Sequence, residues 1–589
     1  MPNHNSNERQ HLLKGVRKDI ILDPSSDLPG FVASELEQEE LLRDPTYHSI
    51  EQSSDSTDEE NSGGDDEDGE ISKTKKSIIL GSMFIGVFLA SLDGTVIVTL
   101  ISHIASEFNA LPKISWIATA YLLSSATFQP LYGKLSDIFG RRALLLFCNL
   151  TFTLGCLICS IASNVEILIL GRFISGVGGG GLTSLTSITT SDIIPLKSRG
   201  VYQGLTNVAF GLGTAVGGVV GGLFADNPKL GGWRGAFLSQ VPLTLLSTLS
   251  IYCFLKLPKG SSGLGVSGGD ITKKLKLIDW YGSISLITFL MLFLSGASFG
   301  GKELSYQSLG FILLSIGCVL ALISFIWVEF KTSNPVLPLE FLKIPTVTGV
   351  SLSNFFMSVS TFTSYYYVPV YYTSIFNLNS TEIGKRFSPN FFCIVIGSLG
   401  AGFYMRKTGK YQKLLLLSGV LSVWGFLRIV QLNPNYNLFE QYMLFITPGL
   451  GTSVIITATL LALIAAVPHE HQAATTSISY LFRSCGSTLG VSTGSAIFSK
   501  KLEIELKDKV LEFLDKGYSL KELQEIIYQA AHNTEYINNG APDFIKDALK
   551  EAYKISLKLT FEFCLLTSIL GLLSLFLIKE YMLHSSMKR

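Results

Sequence analysis

Apolar stretches of about twenty residues recur from position 78 to the end of the chain, each long enough to cross a hydrocarbon core roughly 30 Å thick. Fourteen can be counted, near 78–102, 114–133, 143–163, 165–189, 201–225, 235–256, 279–299, 306–330, 346–370, 386–405, 412–431, 438–467, 474–499 and 556–578. The third and fourth are parted by little more than Ser163 and Asn164. The pattern predicts an all-α membrane protein. Composition excludes the soluble alternative: of 589 residues 47% are hydrophobic and 16% charged, with a mean hydropathy of +0.39.

The formal net charge of zero hides an acidic tail, because residues 35–70 hold fifteen Asp and Glu against a single Arg. Such a run reads as a solvated, disordered segment. No short apolar region followed by a small-residue cleavage site is evident at the N-terminus, so the first span is expected to act as the insertion signal and leave the tail in the cytosol. Lys73, Lys75 and Lys76 before that span agree. Lys and Arg then alternate from loop to loop. With the N-terminus inside, the short inward loops and C-terminal tail carry about nineteen and the short outward loops about six, so both termini are expected in the cytosol. The segment 500–555 then faces away from the cytosol, and its helical spacing of apolar residues predicts short amphipathic surface helices. Asn379, in NST on an outward loop, is a glycosylation acceptor or a chance match.

One polar turn, GKLSDIFGRR from Gly133 to Arg142, stands between two spans. Its glycines allow a tight turn and close helix approach, and its bases hold the turn at the cytosolic surface. Asp137 asks for more. It can pair with Arg141 or Arg142, or meet the partial positive charge at a helix N-terminus of the other half, in a contact made in one conformation and broken in another. A conformational latch therefore stands beside the plainer reading of a positively charged inward turn. The frame of Gly, six residues, Gly and a base recurs in GFYMRKTGK, Gly402 to Lys410, after the tenth span. This echo predicts a duplicated architecture: a tail at 1–76, a six-helix bundle at 77–257, a cytosolic linker at 258–278, two inserted helices at 279–330 and a second six-helix bundle at 331–589 that includes 500–555.

Together the motifs resemble the major facilitator superfamily. Gly133, Leu135, Asp137, Gly140, Arg141 and Arg142 look like its signature loop between helices two and three. LDGTVIVTLI, Leu92 to Ile101, resembles the first-helix motif of the fourteen-span drug:proton antiporter branch, and LILGRFISGVGGGG, Leu168 to Gly181, the fourth-helix motif whose arginine is implicated in proton coupling. GLGTAVGGVVGG, Gly211 to Gly222, is similar to the fifth-helix antiporter motif, and WRGAFLSQVP, Trp233 to Pro242, to that branch's lead into helix six. The resemblance covers nearly all of the chain after residue 77 and implies the major facilitator fold with 14 transmembrane helices. One position departs: the motif has Pro after the glycine at the place of Gly217, where this chain has Gly218, so neither the kink nor the direction of exchange transfers. Gly213, Gly217 and Gly221, with Gly218 and Gly222 beside them, still form a small-residue ridge for close helix packing.

Asp93 and Arg172 are the strongest charges within the spans. Either costs about 2.5–3.5 kcal/mol near the bilayer centre on insertion scales, so each is expected to face a cavity or a partner. Asp93 lies about nine residues before the outer end of its span and Arg172 about seven after the outer start of its own, so at 1.5 Å per residue their depths differ by a few Å. An acid that pairs with Arg in one state and meets a drier cavity in another meets the need of a proton-coupled carrier; a permanent structural pair is the alternative. Asp93→Asn is expected to remove transport while leaving abundance intact. Asn354 is a candidate cavity residue. Tyr366 and Tyr367, in SYYYVPVYY, offer ring faces to a cationic ligand or belong to an aromatic belt at the outer interface. The eight cysteines all fall in apolar spans and read as small buried residues.

Two tail motifs bear on location. ERQHLL, with Glu8, Leu12 and Leu13, and EQEELL, with Glu37, Leu41 and Leu42, fit the acidic dileucine form that clathrin adaptors bind on cargo for lysosome-like organelles, or arise by chance in an acidic tail. Ser115 to Asp137 and Gly181 to Leu205 resemble fungal vacuolar basic amino acid transporters. That resemblance implies antiport of Lys, Arg or His from the cytosol into a vacuole against protons, by a multi-pass protein of the vacuolar membrane. A plasma-membrane drug or toxin exporter is the rival, since fold does not decide cargo. A nutrient sensor signalling through its tail is a reading of another class. No nucleotide loop, metal cluster or nucleophile motif appears, so no enzyme, cofactor or nucleic-acid partner is expected, and the chain is expected to act as a monomer.

Overall fold

The computed structural model describes residues 73–583 apart from 109–113, 227, 256–261, 267–270, 301–304, 306, 333–334, 379, 469–470, 517–518 and 533–535. The dileucine motifs at Glu8, Leu12, Leu13, Glu37, Leu41 and Leu42, and Asn379, lie outside the described residues. The helices run in the order α1 (Lys73–Phe108), α2 (Ile114–Phe128), α3 (Leu131–Phe139), α4 (Arg141–Ser160), α5 (Val165–Ile193), α6 (Leu196–Asp226), α7 (Gly232–Leu238), α8 (Gln240–Phe254) and α9 (Ile271–Lys276). They continue with α10 (Trp280–Phe299), α11 (Leu309–Lys331), α12 (Pro345–Ser374), α13 (Ser380–Thr408), α14 (Gln412–Val430), α15 (Leu438–Met443), α16 (Ile446–Ala465), α17 (Gln472–Leu511), α18 (Leu520–His532), α19 (Tyr536–Asn539) and α20 (Asp543–Leu575). The described residues contain no β-strand longer than an isolated bridge.

Eleven helices or helix pairs among the described residues are long and apolar enough to cross a membrane. The second, ninth and thirteenth apolar segments are helical but fall outside that set, for readable reasons. The second is cut between α2 and α3, where Pro130 has no N–H to give to the carbonyl four residues back. The other two, α12 and α17, bury hydroxyls instead of Leu: Ser351, Ser353, Ser360 and Thr363 on α12, Thr475, Thr476 and Ser477 on α17. Ser360, Thr363 and Thr475 bond to carbonyls or hydroxyls nearby, whereas the Ser351, Ser353 and Ser477 hydroxyls have no hydrogen-bond partner among the described residues; all of them lower the hydropathy of the helices that line the interior. At the other extreme, α11 buries only Phe325 and Glu329.

Helix ends follow local chemistry. Asn164 separates α4 from α5, its side chain accepting the Ile167 N–H at 2.8 Å. Asp279 and Ser308 cap α10 and α11 in the same way. The inserted pair leans on the bundle through Leu286, Leu290 and Leu294, which pack with Leu123, Ala126, Leu131 and Ile478. Glu329 ties the end of α11 to the following connection by accepting the Leu337 N–H at 2.6 Å.

Segment 500–555 holds one expected short amphipathic helix, α18, but on either side of it the long helices extend into the segment. Helix α17 runs unbroken for 40 residues to Leu511, and α20 begins at Asp543, before its apolar stretch. Leu502, Leu506, Val510, Leu523, Ile526, Ala530, Ile545 and Leu549 are buried in one cluster shared with Tyr371 and Phe426 of the bundle. Their 3.6-residue spacing marks a helix face, but only packing shows that the face is covered by its own neighbours.

Candidate functional site

Asp93 on α1 and Arg172 on α5 meet as their matched depths predict. Arg172 Nη1 donates to Asp93 Oδ2 at 2.6 Å, with side-chain exposures of 1% and 0%. The glycines of LILGRFISGVGGGG make the enclosure: a Cβ on Gly176 would fall on the Tyr121 carbonyl and Ser124, and one on Gly178 on α4 near Phe152, so α5 lies close against α2 and α4. Arg172 Nε donates to the Ile117 carbonyl at 3.4 Å, and its guanidinium lies 4.5 Å from the Tyr121 ring centre, a cation–π contact. The Tyr121 hydroxyl donates to the Ala90 carbonyl at 2.6 Å, which fixes the ring. Gln240, the first residue of α8, donates from Nε2 to Asp93 Oδ1 at 3.3 Å. Two buried atoms beside the pair, Arg172 Nη2 and Gln240 Oε1, have no hydrogen-bond partner among the described residues. The sequence did not single out Gln240 or Tyr121; the one signal was a carboxamide following the apolar Ala236–Leu238 in the lead into α8.

Trp233 and Arg234 in the same motif clamp the far end of α1. Trp233 Nε1 and Arg234 Nη1 donate to Glu107 at 2.6 and 2.7 Å. Burial acts to raise the Glu107 carboxyl, but the hydrogen bonds from Trp233 and Arg234 and the charge of Arg234 outweigh it and hold the group below its usual range.

In the turn after α3, Gly140 has φ of 92°, and a Cβ there would lie 2.7 Å from the Leu264 carbonyl oxygen. The linker folds back onto this turn, with the Val266 N–H donating to the Ile138 carbonyl at 3.1 Å. Asp137 pairs with Arg141 at 2.6 Å, and Arg141 Nε also donates to Asp192 at 2.8 Å. Burial pushes the Asp137 carboxyl above its usual range despite that neighbour. Arg142 takes no part in the pair; it donates to the Tyr252 carbonyl and stacks on the Tyr252 ring. Arg141 thus bridges two acids with one planar fork, which a lysine cannot do. Arg141→Lys is expected to destabilise the protein by about 1–3 kcal/mol through one under-bonded carboxylate, and Arg142→Lys by less than about 0.5 kcal/mol. Thermal midpoints of the purified variants check the contrast, and equal midpoints would remove the bridge.

The echo of this turn is structural as well. Gly409, the counterpart of Gly140, has φ of 67°. A Cβ on Gly133 would lie 2.7 Å from the Ala473 carbonyl oxygen on α17, and one on Gly402 would lie 2.6 Å from Val201 N on α6. Each motif's first glycine therefore lets its helix touch a helix distant in sequence, α3 against α17 and α13 against α6. Arg199 Nη1 donating to Gln472 Oε1 at 3.1 Å adds a polar bridge there. The ridge on α6 divides. Gly213 and Gly217 pack on α1, where a Cβ would lie 3.1 Å from Leu92 N and 2.8 Å from the Leu92 carbonyl oxygen respectively. Gly221 is buried, whereas a Cβ on Gly218 or Gly222 would meet nothing within 4 Å.

Asn354 does line a small cavity of about 10 Å³, with Gln203 of α6 and Ser479, Tyr480 and Arg483 of α17. Its Nδ2 donates to Ser479 Oγ at 2.9 Å, and its Oδ1 accepts from Thr459 at 3.4 Å. Tyr366 and Tyr367 are not brought to that wall. Tyr366 is 51% exposed on the outside of α12, and Tyr367 is buried against Phe498, with ring centres 5.3 Å apart.

A family model described as Major Facilitator Superfamily matches residues 83–491. The chain is 34% identical to Multidrug resistance protein fnx1 of Schizosaccharomyces pombe, over 88% of this chain and 97% of that protein. It is 33% identical to Vacuolar basic amino acid transporter 2 of Saccharomyces cerevisiae, over 72% of this chain and 89% of that protein. The crystal structure of the human organic anion transporter MFSD10 (TETRAN) shares the fold, with a TM-score of 0.53 at 15% identity over 86% of this chain and 100% of that one.

Proposed function

We propose that this chain, which belongs to the major facilitator superfamily, is a proton-coupled antiporter that moves the basic amino acids Lys, Arg and His from the cytosol into the vacuole. The observation that carries the coupling is the Asp93–Arg172 pair, 2.6 Å long and closed to solvent. While Asp93 is charged the pair stays shut. When Asp93 takes up a proton the attraction is lost, and Arg172 turns to Gln240 Oε1, an acceptor with no other partner among the described residues. Loss of the proton restores the pair, so proton occupancy biases two arrangements of the N-terminal half. Gly133, Asp137, Gly140, Arg141 and Arg142 act as the latch at the end where the halves touch, and the repeat in Gly402–Lys410 is its counterpart.

The chain crosses the membrane fourteen times with both termini in the cytosol, an arrangement supported by the Lys and Arg bias of the loops. The two halves at 77–257 and 331–589 rock about the cavity between them, and 279–330 is peripheral. The vacuolar location and basic substrates are supported by the relative named Vacuolar basic amino acid transporter 2 and by the paired dileucine motifs of the tail. Export of drugs across the plasma membrane is the second reading, favoured by the relative named Multidrug resistance protein fnx1. Uptake of labelled lysine, arginine and histidine by vacuolar vesicles with and without this protein tests the choice. An ATP-dependent, protonophore-sensitive difference is expected; no difference, together with drug efflux from whole cells, would select the exporter.

A further inference from the structure

We propose that Arg483 is the anchor for the substrate's carboxylate, so that the cavity between the halves accepts α-amino acids and rejects the amines that lack the carboxylate. This inference rests on the amino acid reading above and names the chemistry by which the site would recognise its cargo.

Arg483 lies eleven residues into α17, about 16 Å along the helix from its start and so near the middle of the membrane. A base at that depth needs a counter-charge. Arg172 has Asp93, and nearer the surface Arg141 has Asp137 and Asp192 and Arg386 has Glu382 at 3.9 Å. Among the described residues no carboxylate pairs with Arg483, and its guanidinium rests instead 4.6 Å from the centre of the Tyr480 ring. That ring is held from behind, because the Tyr480 hydroxyl shares a 2.6 Å hydrogen bond with Ser187 of α5 in the opposite half. Arg483 is half-buried, lines the cavity and is oriented by a fixed aromatic shelf.

The rest of the wall complements such an anchor. A guanidinium offers parallel N–H donors that match the two oxygens of a carboxylate. The carboxamides of Asn354 on α12 and Gln203 on α6 line the same cavity, with the Ser479 hydroxyl one turn from Arg483 on α17, neutral groups whose oxygens accept hydrogen bonds from an ammonium. No acidic side chain lines the cavity among the described residues. A bare organic cation entering this wall would face Arg483 with nothing to offset the like charge. A zwitterion brings the missing negative charge itself. At about 10 Å³ the cavity is closed to an amino acid in this arrangement, so loading requires α6 to part from α12 and α17; the substrate would then neutralise Arg483 and bridge the three helices.

The test uses full-length protein in vacuolar vesicles and competition against labelled lysine. Unlabelled lysine should compete, whereas cadaverine and lysine methyl ester should be at least about a hundredfold weaker, the discrimination expected when a buried polar anchor loses its partner. Arg483→Gln should cut lysine uptake at least about tenfold and Arg483→Lys less, because charge survives without the planar fork. Cadaverine competing as well as lysine, or Arg483→Gln transporting normally, would overturn the anchor while leaving amino acid transport standing. If wild-type vesicles accumulate none of the three basic amino acids, the functional reading fails first. The anchor is then judged by thermal midpoints of the purified full chain with other α-amino acids and their matching amines. A carboxylate-dependent rise lost in Arg483→Gln keeps it, and no such rise with any pair sinks it.

Discussion

Asp93→Asn is expected to abolish proton-driven uptake and, contrary to the expectation from sequence that abundance stays intact, to lower the amount of folded protein. The pair has no solvent exposure, so neutralising the acid leaves the Arg172 guanidinium buried without its counter-charge. Breaking one side of a buried pair costs about 3–5 kcal/mol. Loss of transport in the single variant is therefore ambiguous between coupling and folding. The double variant Asp93→Asn with Arg172→Gln separates them, because no uncompensated charge remains. Its abundance in vacuolar membranes should return toward wild type while uptake stays at background. A doubly neutral protein that exchanged at wild-type rates would reduce the pair to scaffolding.

Gly402→Val and Gly133→Val are expected to hold apart the end at which the halves now touch. A Cβ at 402 would sit 2.6 Å from Val201 N, and one at 133 would sit 2.7 Å from the Ala473 carbonyl oxygen. Both obstacles are backbone, which cannot swing aside as a side chain would. Overpacking of this kind costs about 1–3 kcal/mol, a shift of about 5–150-fold in a two-state equilibrium. Ser477, buried in this state, reports it. In a background without other reactive thiols, Ser477→Cys should resist maleimide in the parent chain and label readily in Gly402→Val, with turnover falling in proportion. Gly218→Val, facing open space, is the control and should change neither. Equal labelling of all three would mean that closure does not depend on these glycines.

Much of the architecture was legible because its causes are local. Twenty apolar residues in a row state their environment without reference to any other part of the chain, and so do a proline that ends α2 or an Asn that caps α5. Depth along a helix is also countable, which is why Asp93 and Arg172 could be matched before their 2.6 Å contact was known. The turn at Gly140 and its echo at Gly409 share a positive φ, a demand that glycine meets from sequence alone.

The direction in which a side chain faces was another matter. Tyr366 and Tyr367 are neighbours in sequence yet point roughly 100° apart on a 3.6-residue helix, so one meets the exterior and the other the core. The same rotation divides Gly217 from Gly218 on α6. Gln240, Tyr121 and Asp192 entered their sites through helix pairings between 31 and 147 residues distant in sequence. The segment after residue 500 showed helical spacing but not the packed cluster that covers it.

The chain's own order of residues thus determined that it is a helical membrane protein, which stretches are apolar helices and which turns repeat the same glycine frame. Tertiary packing alone decided how the charges are matched: Arg172 inside a closed pair, Arg141 shared between two acids, Arg483 facing a small cavity. The reason is that hydropathy and helix rise are properties of short stretches, whereas the pairing of a buried charge depends on which distant helix turns which face toward it.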